Sequence, residues 1–442
     1  MQRSIWRELL LHWDNSTRLV FLYRAWQAGA GLCTLVLVFH LLSPIEQGFY
    51  YTYASIAAMQ VFLDAGLSAA LIQVSAHAFS RMNWSSDRKI EGKDQSIFYA
   101  LIRKSALWYL TASLIFLSIA APAGIMFLSS NASLAPPHWQ WNWVFLVVAT
   151  ALSLVMVPFM SILEGSGLVS EVYGIRLLQA VSGSLATWWL LWKGYGLLAV
   201  CATPLMTFII SATALGLRHR FTLINMWKVK TGSFNWKENV WPFQWRIGLS
   251  WLSGYVLVQM HTPLLFRLKG PVEAGQMGLS VTIISMLSLL AMIGITSRTP
   301  SLARLASKKN WTEMDNLFFS AAKISLILYG LGAFLLLSLC YSLENTIYAH
   351  RIISFTDMFI LCLAFLSSHI VGLLAVYLRA HKAEPYVGLS VAGALIVLIG
   401  VLAVTPSFGI RGIVCVLLVV HGAIGIPIAL KIWSTYRENW HK

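Results

Sequence analysis

"LSPIEQGFYYTY", Leu42–Tyr53, interrupts a long apolar stretch, and a close echo, "KGPVEAGQMGLS", occupies Lys269–Ser280. Each copy reads Pro, a β-branched residue, Glu, one further residue, then Gly, and each has an apolar run on either side. Pro44 and Pro271 stand 227 positions apart. Either Glu46 and Glu273 are paired carboxylates of one chemical site, or the same architectural signal is used twice. Local chemistry favours the second. Ser43 can act as N-cap, Pro44 sits at the first helical position where no N–H is needed, and Glu46 three residues on can close a capping box. In the echo Gly270 replaces the serine, while Pro271 and Glu273 keep their places, and a carboxylate there suits the helix dipole. The two stretches therefore predict two helix starts.

What kind of helices they start follows from composition. The 442 residues are 58% hydrophobic and 11% charged, with a mean hydropathy of +0.70. Ordinary soluble domains carry about a quarter charged residues. Too little polar surface is present to cover a water-soluble particle, so the chain belongs in a bilayer. A span needs about 20 apolar residues. Candidates run near 19–41, 49–76, 105–128, 143–163, 170–192, 196–217, 247–266, 276–298, 320–342, 353–378, 386–404 and 409–432. These are twelve expected spans, and the breaks between them are too short to hold a soluble domain. Ahead of them, Ile5, Trp6, Leu9, Leu10 and Trp13 recur at helical spacing, which predicts an interfacial amphipathic segment over 1–18. The first apolar run is too long for the core of a cleavable signal.

The net charge of +15 raises the question of a nucleic-acid partner. With the N-terminus placed inside, 25 of the 32 Lys and Arg fall in inside segments and five outside, and Arg24 and Arg176 lie within spans. The charge is then topology, and no nucleic-acid partner is expected. This orients both termini to the cytoplasm. Trp139, Trp141 and Trp143, then Trp188, Trp189 and Trp192, then Trp236, Trp241 and Trp245 are expected at headgroup level. Cys33, Cys201, Cys340, Cys362 and Cys415 all fall in apolar runs, form no CxxC pair, and are expected to be small buried residues.

The halves match beyond the opening motif. "VSEVYG" (Val169–Gly174) resembles "KAEPYVG" (Lys382–Gly388), and "GYGLLAV" (Gly194–Val200) resembles "SFGIRGI" (Ser407–Ile413). Two six-span halves of like orientation follow, which is a parallel repeat. The expected organisation is an amphipathic segment 1–18, an N-terminal lobe 19–217, a basic linker 218–246 and a C-terminal lobe 247–442. Transporters built from such repeats place their site at the seam near the midplane.

Ionisable residues inside spans are functional candidates. On the second span Tyr53, Gln60, Asp64, Ser68 and Ser75 fall on one helical face, with Asp64 as the coupling-ion or proton candidate beside Gln60, or as partner of a cavity arginine. A lipid-facing Asp there costs roughly 2.5–3.5 kcal/mol on insertion scales, so this face should look inward. On the eighth span Gly278, Thr282, Ser285, Ser288, Thr296 and Thr299 form a similar stripe. The repeat offset places Ala291 opposite Asp64, so the acid is not duplicated. Arg24, Arg176, Arg246 and Arg298 are candidates for a basic, cytoplasm-facing vestibule, because a guanidinium fork bonds two phosphate oxygens at once. His261, beside Gln259, is a candidate pH sensor. Pro122, Pro158, Pro204, Pro263 and Pro427 interrupt spans. No GxxxxGK[ST], HExxH or GxSxG motif and no metal-spaced Cys/His set is present, so no cofactor, metal or enzymatic reaction is expected.

"PIEQGFYYTYASIAAMQVFLDAGLSAALIQVSAHAF" (Pro44–Phe79) resembles the second helix of the polysaccharide-transport branch of the MOP flippases, the O-antigen and exopolysaccharide group. "AVYLRAHKAEPYVGLSVAGAL" (Ala375–Leu395) is similar to that family's junction between helices 10 and 11, and "FGIRGIVCVLLV" (Phe408–Val419) to the start of its helix 12. The resemblance implies an all-α polytopic protein of about 12 transmembrane helices in two lobes, placed in the bacterial inner membrane. It implies a flippase whose cargo is a polyprenyl diphosphate-linked oligosaccharide, working beside a polysaccharide polymerase and other assembly proteins. The chemistry of the residues leaves two further classes in view: a cation-coupled multidrug antiporter on the same scaffold, and a membrane glycan polymerase, ligase or glycosyltransferase.

Overall fold

The computed structural model describes residues 14–85, 88–92, 94–229, 234–346, 348–381 and 384–441. The amphipathic residues Ile5–Trp13 lie outside the described residues. In chain order the helices are α1 (Asn15–Leu41), α2 (Pro44–Ala57), α3 (Gln60–Asp64), α4 (Leu67–Phe79), α5 (Gln95–Leu128), α6 (Trp139–Gly165), α7 (Val169–Trp192), α8 (Ala199–Arg218), α9 (Arg220–Lys228), α10 (Trp236–Asn239) and α11 (Trp241–Val258). They continue with α12 (His261–Lys269), α13 (Pro271–Thr296), α14 (Thr299–Ser307), α15 (Trp311–Leu343), α16 (Phe355–Ala380), α17 (Val387–Leu418) and α18 (Ile426–His441). A hairpin pairs β1 (Asn83–Trp84) with β2 (Ile90–Glu91), Asn83 opposite Glu91. The chain is an all-helical, multi-pass membrane protein.

Among the described residues, eight helical stretches are long and apolar enough to cross a membrane, and nine if a bent pair counts as one span. Their faces stay apolar where they are exposed: Met126, Leu217 and Phe334 are each more than half exposed. That is what lipid contact requires. The fifth expected span, α7, is a 24-residue helix but is not among these stretches, and it carries Glu171, Arg176 and Gln179. The last two expected spans form one continuous stretch from Val387, turned at Gly409 (φ 55°). The seventh is split into α11 and α12.

The second expected span is not one continuous helix over 49–76. It stops at Asp64 and resumes at Leu67, bent by 41°. Ala65 and Gly66 occupy the left-handed region at φ 46° and 74°. The local reason is a close backbone approach. A Cβ on Gly66 would stand 2.6 Å from the Gly248 nitrogen, and one on Gly248 would stand 2.5 Å from the Ala65 carbonyl oxygen. The break is thus seated against α11, and side chains are excluded on both sides of the contact.

By packing, the chain divides into two compact units. One takes Met1–Leu42, Ala57–Ser129 and Pro136–Trp251, and the other takes Ser43–Ile56, Ser130–Ala135 and Leu252–Lys442. The first has a core of Leu67, Leu71, Phe98, Tyr99, Tyr109 and their neighbours. The second has a core around Leu302, Met314, Phe318, Leu373 and Tyr377.

Both copies of the opening motif belong to the second unit, and there they meet. Ser43 and Glu46 form the expected reciprocal box: the Glu46 N–H donates to Ser43 Oγ (3.2 Å) and the Ser43 N–H donates to Glu46 Oε2 (2.8 Å). Glu273 does not close such a box. It accepts from the Ile410 backbone instead. The shared glycines explain why the motif recurs. A Cβ on Gly48 would lie 1.9 Å from the Pro271 carbonyl oxygen, and one on Gly275 would lie 2.8 Å from the Gly48 nitrogen. The starts of α2 and α13 therefore cross in backbone contact, the small-residue packing that membrane helices favour. Gln47 fastens the crossing, donating to Gly275 O (3.0 Å) and to Arg351 O (2.9 Å).

Two expectations about side-chain placement need correction. Trp143 is not an interfacial ring: it is fully buried against Gly124, donating to Ala120 O and Ala121 O, and Trp139 is buried too. Cys33 and Cys415 are exposed, while Cys201, Cys340 and Cys362 are buried as expected. An apolar thiol is as suited to a lipid-facing helix surface as to a core.

Candidate functional site

The break in the second span determines what Asp64 does. A helix start leaves N–H groups without intrahelical partners. Asp64 ends α3 and turns its carboxylate toward the start of α4, where it accepts from the Gly66 and Ser68 backbone and from Ser68 Oγ (3.1 Å). The Tyr109 hydroxyl donates to its other oxygen from α5. The group is 6% exposed. Hydroxyls and backbone hold this acid, and no arginine pairs with it among the described residues. Gln60 opens α3 one turn earlier and is half-buried. Tyr53, expected on the same stripe, belongs to the other unit. A discontinuous helix carrying a buried carboxylate is the kind of element that transporters use for binding and coupling.

The candidate arginines divide into two kinds. Arg176 is committed to Glu164 at 2.7 Å and lies 4.9 Å over the Tyr173 ring, so it ties α7 to α6. Arg24 is exposed, beside the Tyr23 ring at 5.7 Å, and Arg246 is exposed beside Trp245 at 5.5 Å. Arg298, in the second unit, reaches Ser320 Oγ at 3.5 Å. Within the first unit, Arg24, Arg176 and Arg246 share no hydrogen-bond partner among the described residues.

Several polar groups were missed by sequence reading. In the first unit Glu171 gathers Arg88 (2.9 Å), His219 (3.0 Å) and Arg218 (3.6 Å) beside a cavity of about 580 Å³. Burial lowers the His219 pKa below its ordinary 6.5, against the opposing pull of Glu171, so the ring is neutral at pH 7. Its Nδ1 is buried without a partner, which fits a neutral Nε2–H tautomer donating to Glu171.

In the second unit the position opposite Asp64 in the repeat, Ala291, offers only its carbonyl oxygen. Ser325 Oγ donates to it (2.7 Å) and also contacts His369 Nε2 (2.9 Å), and Ser288 Oγ contacts His369 Nδ1 (2.9 Å). A hydroxyl has one proton. Ser325 spends its proton on Ala291, so His369 Nε2 donates to Ser325, and Ser288 Oγ meets the other ring nitrogen. The second unit therefore carries an imidazole held by two serines where the first carries a carboxylate. Elsewhere in it Asp315 is held by Arg437 and Tyr377, and Asp357 by Arg411. The sequence signal was available for one partner only: Ser288 already lay on the polar stripe of the eighth span.

No family model matches the chain, and no curated protein matches it. Solved structures do. The chain is similar to the lipid II flippase MurJ in an inward closed conformation, at 14% identity and a TM-score of 0.62, over 94% of this chain and 87% of that one. It is similar to the MATE multidrug transporter DinF-BH, at 13% identity and a TM-score of 0.65, over 96% of this chain and 94% of that one. It is also similar to an inward-facing multidrug resistance MATE transporter of the MOP superfamily, at 13% identity and a TM-score of 0.58, over 92% of this chain and 99% of that one. At these identities the likeness establishes the fold: it is that of MOP superfamily transporters over nearly the whole chain.

Proposed function

We propose that the chain is a flippase for a polyprenyl diphosphate-linked oligosaccharide. It moves polysaccharide repeat units from the cytoplasmic to the periplasmic leaflet of a bacterial inner membrane, with both termini cytoplasmic. The diphosphate and sugars cross between the leaflets while the polyprenyl tail stays in lipid. Arg24 and Arg246 in the first unit bind the diphosphate, Arg298 is a separate candidate contact in the second unit, Arg176 is held by Glu164, and Asp64 with Gln60 forms the coupling element.

One observation carries the choice of cargo charge. Asp64, Glu164, Glu171, Asp315 and Asp357 are each already held by cations or hydroxyls, whereas Arg24, Arg246 and Arg298 have no carboxylate partner among the described residues. An organic cation would have to displace an internal partner to reach any of these five carboxylates, while a diphosphate finds guanidinium donors that no carboxylate occupies. A lipid-linked cargo also accords with the likeness to a lipid II flippase.

Complementation of a deletion strain tests this. Asp64→Asn and Arg24→Ala should each cut surface-polysaccharide export at normal protein levels, and wild-type export by both would remove the site assignment. The second reading, multidrug efflux, draws on the likeness to MATE transporters. It requires the deletion strain to be drug-sensitive with intact surface polysaccharide.

A further inference from the structure

The cavity beside Glu171 lies wholly within the first unit and none of the groups invoked above for cargo or coupling lines it. Its rim is polar: Asn15 from the start of α1, Ser170 and Glu171 from the start of α7, Arg218 from the end of α8, and Arg88 from the β1–β2 turn. Its floor is apolar, built from Leu19, Ile175, Ile210 and Ala214, with Leu178 at its side. At about 580 Å³ it is the size of a small-ligand site. One side opens outward, since Leu178 is 56% exposed. Ser16 Oγ and Ser170 Oγ, 2.6 Å apart, join α1 to α7 beside it.

The charges on the rim are arranged but not cancelled. Glu171 is 7% exposed and touches both arginines, whose side chains are 37% (Arg88) and 65% (Arg218) exposed. One carboxylate occupies few of the ten N–H donors that two guanidiniums present. With His219 neutral, the group carries two positive charges and one negative. The rim is therefore short of one negative charge, beside the ends of the long helices α7 and α8.

We propose that this cavity is a binding site for an anionic phospholipid, with the phosphodiester on Arg88 and Arg218 and the upper acyl chain over Leu19, Ile175, Leu178 and Ile210. A single phosphodiester supplies the one missing charge. A diphosphate would overfill it, which separates this site from the cargo path. An apolar floor has no role in binding a free phosphate. Occupancy would brace α1, α7 and α8 together with the β-hairpin, and so set the stability of the first unit by the composition of the surrounding membrane.

The test is native mass spectrometry and thermal unfolding of the full-length protein in detergent. Phosphatidylglycerol, phosphatidylcholine of the same acyl chains, undecaprenyl diphosphate and glycerol 3-phosphate are each added separately. Phosphatidylglycerol is expected to bind roughly tenfold more tightly than phosphatidylcholine, whose choline cation restores beside the arginines the positive charge that its phosphodiester cancels. Arg218→Gln, which keeps the Arg88 and His219 contacts to Glu171, should erase that preference. Ala214→Trp, which fills the floor and leaves the rim intact, should abolish binding of phosphatidylglycerol. Equal binding of the two phospholipids, or a preference untouched by Arg218→Gln, overturns the proposal. So does glycerol 3-phosphate stabilising as well as the lipid, or undecaprenyl diphosphate outcompeting it at the same residues. Binding is read without transport, so failure here leaves the cargo reading standing, and loss of export with intact lipid binding leaves this site standing.

Discussion

Gly48→Ala probes the contact between the two copies of the opening motif. The added methyl would stand 1.9 Å from the Pro271 carbonyl oxygen, with the Pro271 carbonyl carbon at 2.5 Å and its Cα at 2.9 Å. The closest of these is about 1.5 Å short of an ordinary contact. All three obstacles are backbone, at a helix start fixed by proline, so no rotamer change relieves them. Overpacking against yielding side chains costs about 1–3 kcal/mol. Against backbone the loss should reach about 3 kcal/mol or more, a large share of a stability of roughly 5–15 kcal/mol. In a unit of this size that lowers the unfolding midpoint by about 6 °C or more. Thermal unfolding of detergent-purified protein, followed by loss of the monodisperse peak, reads the shift. Gly29→Ala is the control, because nothing lies within 4 Å of its added methyl. A Gly48→Ala protein with wild-type yield and midpoint would refute the crossing of α2 and α13.

Three further outcomes follow from the geometry. Ser43→Ala removes one arm of the capping box and should cost about 1 kcal/mol, seen as a small fall in midpoint with export retained. Tyr109→Phe strips the hydroxyl from buried Asp64 and should cost about 1–3 kcal/mol and lower export, more than Ser68→Ala does, measured by unfolding and complementation. The His219 pKa lies below 6.5 because burial favours the neutral ring, so the unfolded chain binds this proton more readily. That contribution is intact above pH 6.5 and is lost as pH falls through the lowered value. Midpoints at about pH 7.5 and about pH 5 should therefore differ more in wild type than in His219→Gln.

Much of the architecture was legible because lipid imposes it. Apolar length marks the spans, and the Pro-x-Glu-x-Gly repeat marked α2 and α13 as paired helix starts. The sequence could assign Pro44 and Glu46 their roles, since proline geometry and capping are local. It could not assign Gly48 and Gly275, since their reason is each other's backbone. The break at Asp64 was missed because the residues from Gln60 to Ser75 keep helical periodicity across it. The local trace was Ala65-Gly66, and its cause is Gly248, far away in sequence. Arg176 read as a cavity cation because its partner, Glu164, lies across a turn on another helix. His369 left no pattern at all, since its partners come from the eighth span and from α15.

The most direct measurement reconstitutes the purified protein in liposomes with a fluorescent polyprenyl diphosphate-linked oligosaccharide and follows quenching from one side. The account predicts transfer of the labelled headgroup between leaflets faster than in protein-free liposomes, slowed by Arg24→Ala and Arg246→Ala. No transfer of that lipid, with movement of an organic cation in the same vesicles, would contradict it.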